Sequence, residues 1–165
     1  MPDTPDRLGE RLSTEGNKTV EFFRALNHEQ MECTLYTEGS CWSIRQVLAH
    51  IVSAEQAYGR LIEDVLGGGH GAPEGYDIDR FNEREVAGTG STSSSDLLLQ
   101  FDLRRRANVE LVSHLNPDDL SRVGRHPYLG QAPLEDIIKL LYRHVQIHQR
   151  DVRRLLAAGM DAQPE

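Results

Sequence analysis

A chain of 165 residues with 26 acidic against 18 basic side chains carries a formal charge of −8. That length corresponds to one domain, here 1–165, able to bury roughly 68–70% of its unfolded surface without disulfide staples. The acidic balance offers little to neutralise a phosphate backbone, so no nucleic-acid partner is expected. No window approaches the roughly 20 apolar residues of a membrane span, and the N-terminus lacks the basic start and apolar run of a secretory signal. Cys33 and Cys41 have no CxxC spacing. The expectation is a cytoplasmic protein with reduced thiols and no membrane partner.

In chain order, Leu8, Leu12, Thr19, Phe22 and Leu26 recur at helical spacing with one gap, predicting a first helix from Asp6 to about Leu26 that Gly9 and Gly16 weaken. A polar connector follows, with a short extended piece around Cys33 to Tyr36. Ser43 and Gln46 then form a capping box, with Trp42 placed to staple onto Val47, and a second helix runs to about Leu66. Its seam is Ile44, Leu48, Ile51, Glu55, Tyr58, Ile62 and Val65. Residues Gly67 to Thr92 make a Gly- and Ser-rich crossover holding a short helical turn in YDIDRFNERE, long enough for the third helix to run parallel to the second.

The third helix begins at the Ser93/Asp96 pair and continues to about Leu115, with an inward stripe of Leu98, Phe101, Arg105, Asn108, Val112 and Leu115: apolar at both ends, polar in the middle. Arg104, Arg105 and Arg106 are consecutive and so point in different directions rather than forming a basic stripe. The fourth helix starts with Pro133 at its first position and ends near Ala158, with Gly159 as the C′ residue. No stretch alternates as a strand does. The fold class is all-α, a four-helix bundle with one long crossover between helices two and three.

The seam of the fourth helix reads Leu134, Ile138, Leu141, Val145, His148, Val152, Leu155, which puts His148 at a core position with His144 one turn before it. Two His at i and i+4 suit a single metal ion, and His50, on the edge of the second helix's apolar stripe, supplies a third imidazole. Such a tripod leaves a coordination position open for water or thiol. HxxxH also arises where hydrogen-bonded histidines line a helix boundary, so the residues by themselves leave both readings open. His28, His70, His114 and His126 fit that plainer reading.

Glu55 is a carboxylate at a seam position. It is solvated, paired with Arg105, or bonded to a ligand imidazole, with partial exposure favoured. Five residues from His50, it is a poor co-ligand. Arg105 and Asn108 would face the same cavity and could take an anionic substrate.

The segments WSIRQVLAHIVSAEQAY, FNERE and LNPDDLSRVGRHPYLGQAPLEDIIKLLYRHVQIHQRDVRRLL resemble the DinB-like superfamily of bacterial helical bundles, from the second helix onward. That superfamily includes proteins described as metal-dependent thiol transferases and the N-terminal domain of mycothiol-dependent maleylpyruvate isomerase. The resemblance implies a four-helix bundle with a long crossover, a zinc or nickel ion on His50, His144 and His148, and a homodimer. It also implies a low-molecular-weight thiol, such as bacillithiol or mycothiol, activated against an electrophilic small molecule. The isomerases' additional C-terminal domain has no counterpart within these residues. The sequence therefore supports three readings: a metal-dependent thiol transferase or hydrolase, a non-catalytic metal- or ligand-binding module linked to stress, and a bundle whose histidines are core filler.

Overall fold

The computed structural model describes residues 2–159; the expected domain, 1–165, extends beyond them at both ends. Six α-helices, one 3-10 turn and one two-stranded hairpin are present among the described residues: α1 Pro5–Arg24, α2 His28–Met31, α3 Ile44–Leu66, α4 Ile78–Ala87, α5 Ser94–Ser113, a turn at Pro117–Ser121, β1 Val123–His126, β2 Gly130–Pro133 and α6 Leu134–Ala157. The long helices α1, α3, α5 and α6 form the expected four-helix bundle. Their starts follow local chemistry. Ser43 Oγ accepts from Gln46 N–H while the Gln46 side chain accepts from Ser43 N–H, and Ser93 caps α5 through Asp96 N–H. Pro133 is the N-cap of α6 rather than its first residue, and Gly159, with φ +78°, follows its C-cap. None of these helices is long and apolar enough to cross a membrane.

Around the bundle the neighbours run α1, α5, α3, α6 and back to α1. Helices consecutive in sequence thus lie diagonally opposite at the α1-to-α3 and α5-to-α6 connections, while the long crossover joins the adjacent α3 and α5. α4 is the helical piece expected inside that crossover, and it packs on α3.

The hairpin was not expected. Its strands pair antiparallel with His126 opposite Gly130, and the sequence VGRH, PYL, GQAP is too short and polar to alternate visibly. Gly71 pairs with Arg125, through Arg125 N–H to His70 O at 2.8 Å and Ala72 N–H to Arg125 O at 2.8 Å. The crossover and the hairpin are thereby tied into one flap beside α3.

Two apolar clusters fill the bundle. One centres on Phe23, Leu48, Phe101 and Val145, the other on Leu12, Ile62, Val112 and Leu141. Between them lies a polar layer. Glu55, 2% exposed, is held by Arg105, 3% exposed, through Nε to Oε2 at 3.0 Å and Nη2 to Oε1. Asn108 Nδ2 donates to Glu55 Oε2 at 3.0 Å and to its backbone oxygen at 2.9 Å. Arg105 also donates to Leu12 O at 3.1 Å and Leu141 O at 3.2 Å, so one guanidinium on α5 binds α1, α3 and α6.

Glycine lets α1 and α3 each pack closely against α5. A Cβ at Gly16 would lie 2.6 Å from Arg105 Cγ, and one at Gly59 would lie 2.5 Å from Asn108 Oδ1. The other two arginines of the run diverge as expected: Arg104 donates to Val52 O and Arg106 pairs with Asp102. Cys33 is buried, Cys41 exposed, and both are free thiols.

Candidate metal centre

α3 and α6 bring His50, His144 and His148 together. His50 Nε2 lies 3.0 Å from His144 Nε2, which in turn lies 3.0 Å from His148 Nε2. One nitrogen from each ring lies within 4.8 Å of the other two, and the three could hold a metal ion. His50 is buried, and His144 and His148 are half-buried.

The expected seam is corrected on one point. The buried position of α6 in that turn belongs to Gln149, not His148, so the core stripe runs Leu141, Val145, Gln149, Val152. The step from Val145 is four residues rather than three, which turns His148 to the flank beside His144, where the bundle opens into cavities.

Burial favours neutral imidazole over imidazolium. It carries His50 down to about 3, with the nearby His148 adding repulsion, and His148 down to about 4 against the pull of Asp151. His144 is lowered well below its usual value, first by burial and then by the neighbouring rings. Neutral rings keep a free lone pair for a Lewis acid.

The spacing fits one as well. Two nitrogens at ~2.0–2.1 Å from a shared ion, with angles between those of an octahedron and a tetrahedron, lie roughly 2.8–3.4 Å apart. Without a cation, both 3.0 Å contacts fall on His144 Nε2, and one hydrogen there cannot serve two linear bonds.

Residues from the connector and the flap surround the cluster. Trp42 lies against His50, ring centroids 5.1 Å apart; the buried Nδ1 of His50 has no hydrogen-bond partner. Tyr36 Oη is 2.8 Å from His148 Nδ1 and 2.8 Å from Asp151 Oδ2. His50 and His144 border two cavities. One, of about 360 Å³, is walled by α3 (Ser53, Tyr58, Leu61), the crossover (Tyr76, Phe81, Asn82) and the hairpin (His126, Tyr128). The other, of about 330 Å³, lies under Tyr36 and Trp42 and reaches His148 and Ile147.

His126 belongs to this site although its sequence context reads as a plain connector. It is 3% exposed, stacks on Tyr58 with 7° between ring planes and centroids 5.2 Å apart, and is held neutral by burial, down to about 4. Its Nδ1 accepts from Tyr128 N–H at 3.1 Å and Leu129 N–H at 3.3 Å. The ring hydrogen therefore sits on Nε2, on the side away from the hairpin turn. A histidine followed by Pro and two residues before a Gly is a turn signal, and only the turn's folding back onto α3 brings it to the cavity.

The structure does not bring Glu55, Arg105 and Asn108 to the histidines. The favoured partial exposure of Glu55 is wrong: its carboxylate is fully enclosed, paired with Arg105 and Asn108. Arg105 and Asn108 face the core layer rather than either cavity, their donors being taken by backbone oxygens of α1, α3 and α6 and by Glu55.

A bundle of four long helices with three imidazoles converging beside a cavity defines a helical protein with a candidate divalent-metal site. The sequence profile of the DinB superfamily matches residues 11–152. The chain belongs to the DinB superfamily. No curated protein sequence matches it.

Two solved structures share the fold. The colibactin self-resistance protein ClbS, solved in complex with double-stranded DNA, superposes with a TM-score of 0.75 at 11% identity, covering 95% of this chain and 98% of its own. YfiT from Bacillus subtilis, described as a probable metal-dependent hydrolase with an unusual four-helix bundle topology, gives 0.72 at 18% identity, covering 93% and 86%. The first overturns the expectation that nucleic acid is excluded as a partner. Net charge is a sum over the whole surface, and it does not forbid local contacts to DNA on a fold for which a DNA complex is known.

Proposed function

We propose that the protein is a metal-dependent enzyme in which His50, His144 and His148 hold a divalent ion, zinc or nickel, and a nucleophile attacks an electrophilic small molecule bound in the larger cavity. The observation that carries this reading is the convergence of three neutral imidazoles, with His144 Nε2 3.0 Å from each of the other two, His50 and His144 bordering that cavity and His148 the neighbouring one. The description of YfiT as a probable metal-dependent hydrolase agrees with it.

When bound, such an ion would supply Lewis acidity that lowers the pKa of water to near neutrality or holds a low-molecular-weight thiol as its thiolate. The chain's own residues do the rest. Tyr58, Tyr76, Phe81 and Tyr128 offer aromatic faces that exclude water and hold an apolar substrate body. His126 presents an Nε2–H that can donate to an oxygen on which negative charge develops during attack. Asn82, 8% exposed and bordering both cavities, adds an amide that can orient either reactant.

Elemental analysis of untagged protein, beside a His144→Ala/His148→Ala variant, tests the site. About one equivalent of zinc or nickel, lost in the variant, is the expected result; no metal in either protein after reloading overturns the proposal. The metal-loaded protein is then assayed for hydrolysis of p-nitrophenyl acetate, and for conjugation of bacillithiol, mycothiol or glutathione to chlorodinitrobenzene. This separates hydrolase from thiol transferase, and no turnover of either kind above the variant leaves a binding module instead.

A further inference from the structure

We propose that Tyr36 and Asp151 are positioning residues for His148, forming a relay that holds its hydrogen on Nδ1 and presents the Nε2 lone pair to the shared centre. This inference rests on the metal reading above for its consequence, while the relay itself can be observed in the metal-free protein.

The argument is one of hydrogen counting. Tyr36 Oη makes two contacts, each of 2.8 Å, to His148 Nδ1 and to Asp151 Oδ2, and it has one hydrogen. A carboxylate only accepts, so the phenol hydrogen goes to Asp151. If the phenol donated to His148 instead, two oxygen lone pairs would face each other at 2.8 Å beside a carboxylate. With the phenol hydrogen on Asp151, Tyr36 Oη accepts, and the second contact must be His148 Nδ1–H donating to it. His148 Nε2 is then the unprotonated nitrogen, and it is the one that lies 3.0 Å from His144 Nε2.

The geometry that delivers Tyr36 is local. Leu35 N–H and Tyr36 N–H both donate to Trp42 O, at 2.9 and 3.3 Å, closing the connector into a loop before α3. Asp151 lies three residues after His148 on α6, hence on the same face one turn on. The phenol bridges the two, its ring edge-on to the imidazole at 5.9 Å between centroids. A carboxylate behind a ligand imidazole fixes ring rotation and raises ligand basicity, and losing such outer partners costs about 10–100-fold in metal affinity. Here the carboxylate acts through a phenol, and the buried Nδ1 of His50 has no comparable partner.

The test uses the full chain, uniformly labelled with nitrogen-15. In the metal-free wild type at neutral pH, two-bond proton–nitrogen correlations of His148 are expected to show a pyrrole-type Nδ1 and a pyridine-type Nε2. Tyr36→Phe should abolish that preference and weaken zinc, measured by chelator competition, about 10–100-fold; Asp151→Asn, which keeps an acceptor oxygen without the charge, should fall between. Unchanged melting of both variants separates the effect from misfolding, and His126, whose tautomer is fixed elsewhere, serves as the internal control. Finding the hydrogen on Nε2 of His148 in the wild type overturns the relay whatever the metal does. Unchanged tautomer and zinc affinity in Tyr36→Phe overturns it too. If the wild type takes up no zinc, the metal reading fails, yet the His148 spectrum still decides whether the relay exists.

Discussion

Replacing Arg105 with methionine tests whether the Glu55 network is structural. The guanidinium is 3% exposed and serves Glu55, Leu12 O and Leu141 O together. Methionine fills similar volume but leaves the Glu55 carboxylate, 2% exposed, with Asn108 as its remaining side-chain donor. An ionised group stranded in this way costs about 3–5 kcal/mol. At ~2–4 °C per kcal/mol for a chain of this size, the melting midpoint should fall by about 6–20 °C. Adding Glu55→Leu removes the stranded charge, and the double variant should return to within roughly 1–2 kcal/mol of wild type, because apolar replacement of a buried pair is often near neutral. Urea unfolding with linear extrapolation measures all three proteins. A loss below about 1 kcal/mol in Arg105→Met, or a double variant no better than the single, would refute the reasoning. Zinc affinity of the double variant should match wild type, since no atom of the network touches an imidazole.

Two further outcomes are expected. Gly16→Ala, in an exposed helix worth about 0.5–1 kcal/mol of added stability, should instead cost about 1–3 kcal/mol, because the new Cβ would sit 2.6 Å from Arg105 Cγ; a raised melting midpoint would contradict this packing. The metal-free protein should lose stability on acidification. Folded His50, His126 and His148 have pKa values of about 3, 4 and 4, below the unfolded value of 6.5. As pH falls below 6.5 the unfolded state takes up protons that the folded state does not, so stability declines between pH 6.5 and about 4 and is flat above 7; unfolding free energies equal at pH 7.5 and pH 5 would count against the buried neutral imidazoles.

The second and last long helices were readable because their signals are local and redundant. Ser43 with Gln46 marks a start, and seven seam positions from Ile44 to Val65 repeat at helical spacing, all of them buried. The histidine pair on α6 was readable for the same reason, since i and i+4 fix a shared face whatever lies opposite. The hairpin was not, because its stability comes from pairing with Gly71 and from lying on α3, which the residues 123–133 do not announce. His126 and Tyr36 were missed on the same ground. His126 sits in a connector whose sequence says turn and Tyr36 at the end of a short extended piece, and each reaches the histidine cluster only through contacts with residues far away in the chain. Glu55 was half-read: its seam position was evident, but whether a buried carboxylate is solvated or paired depends on Arg105, 50 residues on.

His50 and His144 stand 94 residues apart in sequence, and Tyr36 and His148 stand 112 apart. Contacts so distant carry the closure entropy of the long chain segments between them. The three-imidazole centre is therefore a product of α6 docking onto α3, and a chain still lacking that contact offers an ion only the His144–His148 pair of α6. Conversely, an ion bound across the two helices favours the docked arrangement by mass action. Amide exchange in α6 around Val145 to Val152 should slow in the loaded protein more than exchange in α1, which makes the last long helix both the assembler of the site and the part whose opening would release what it holds.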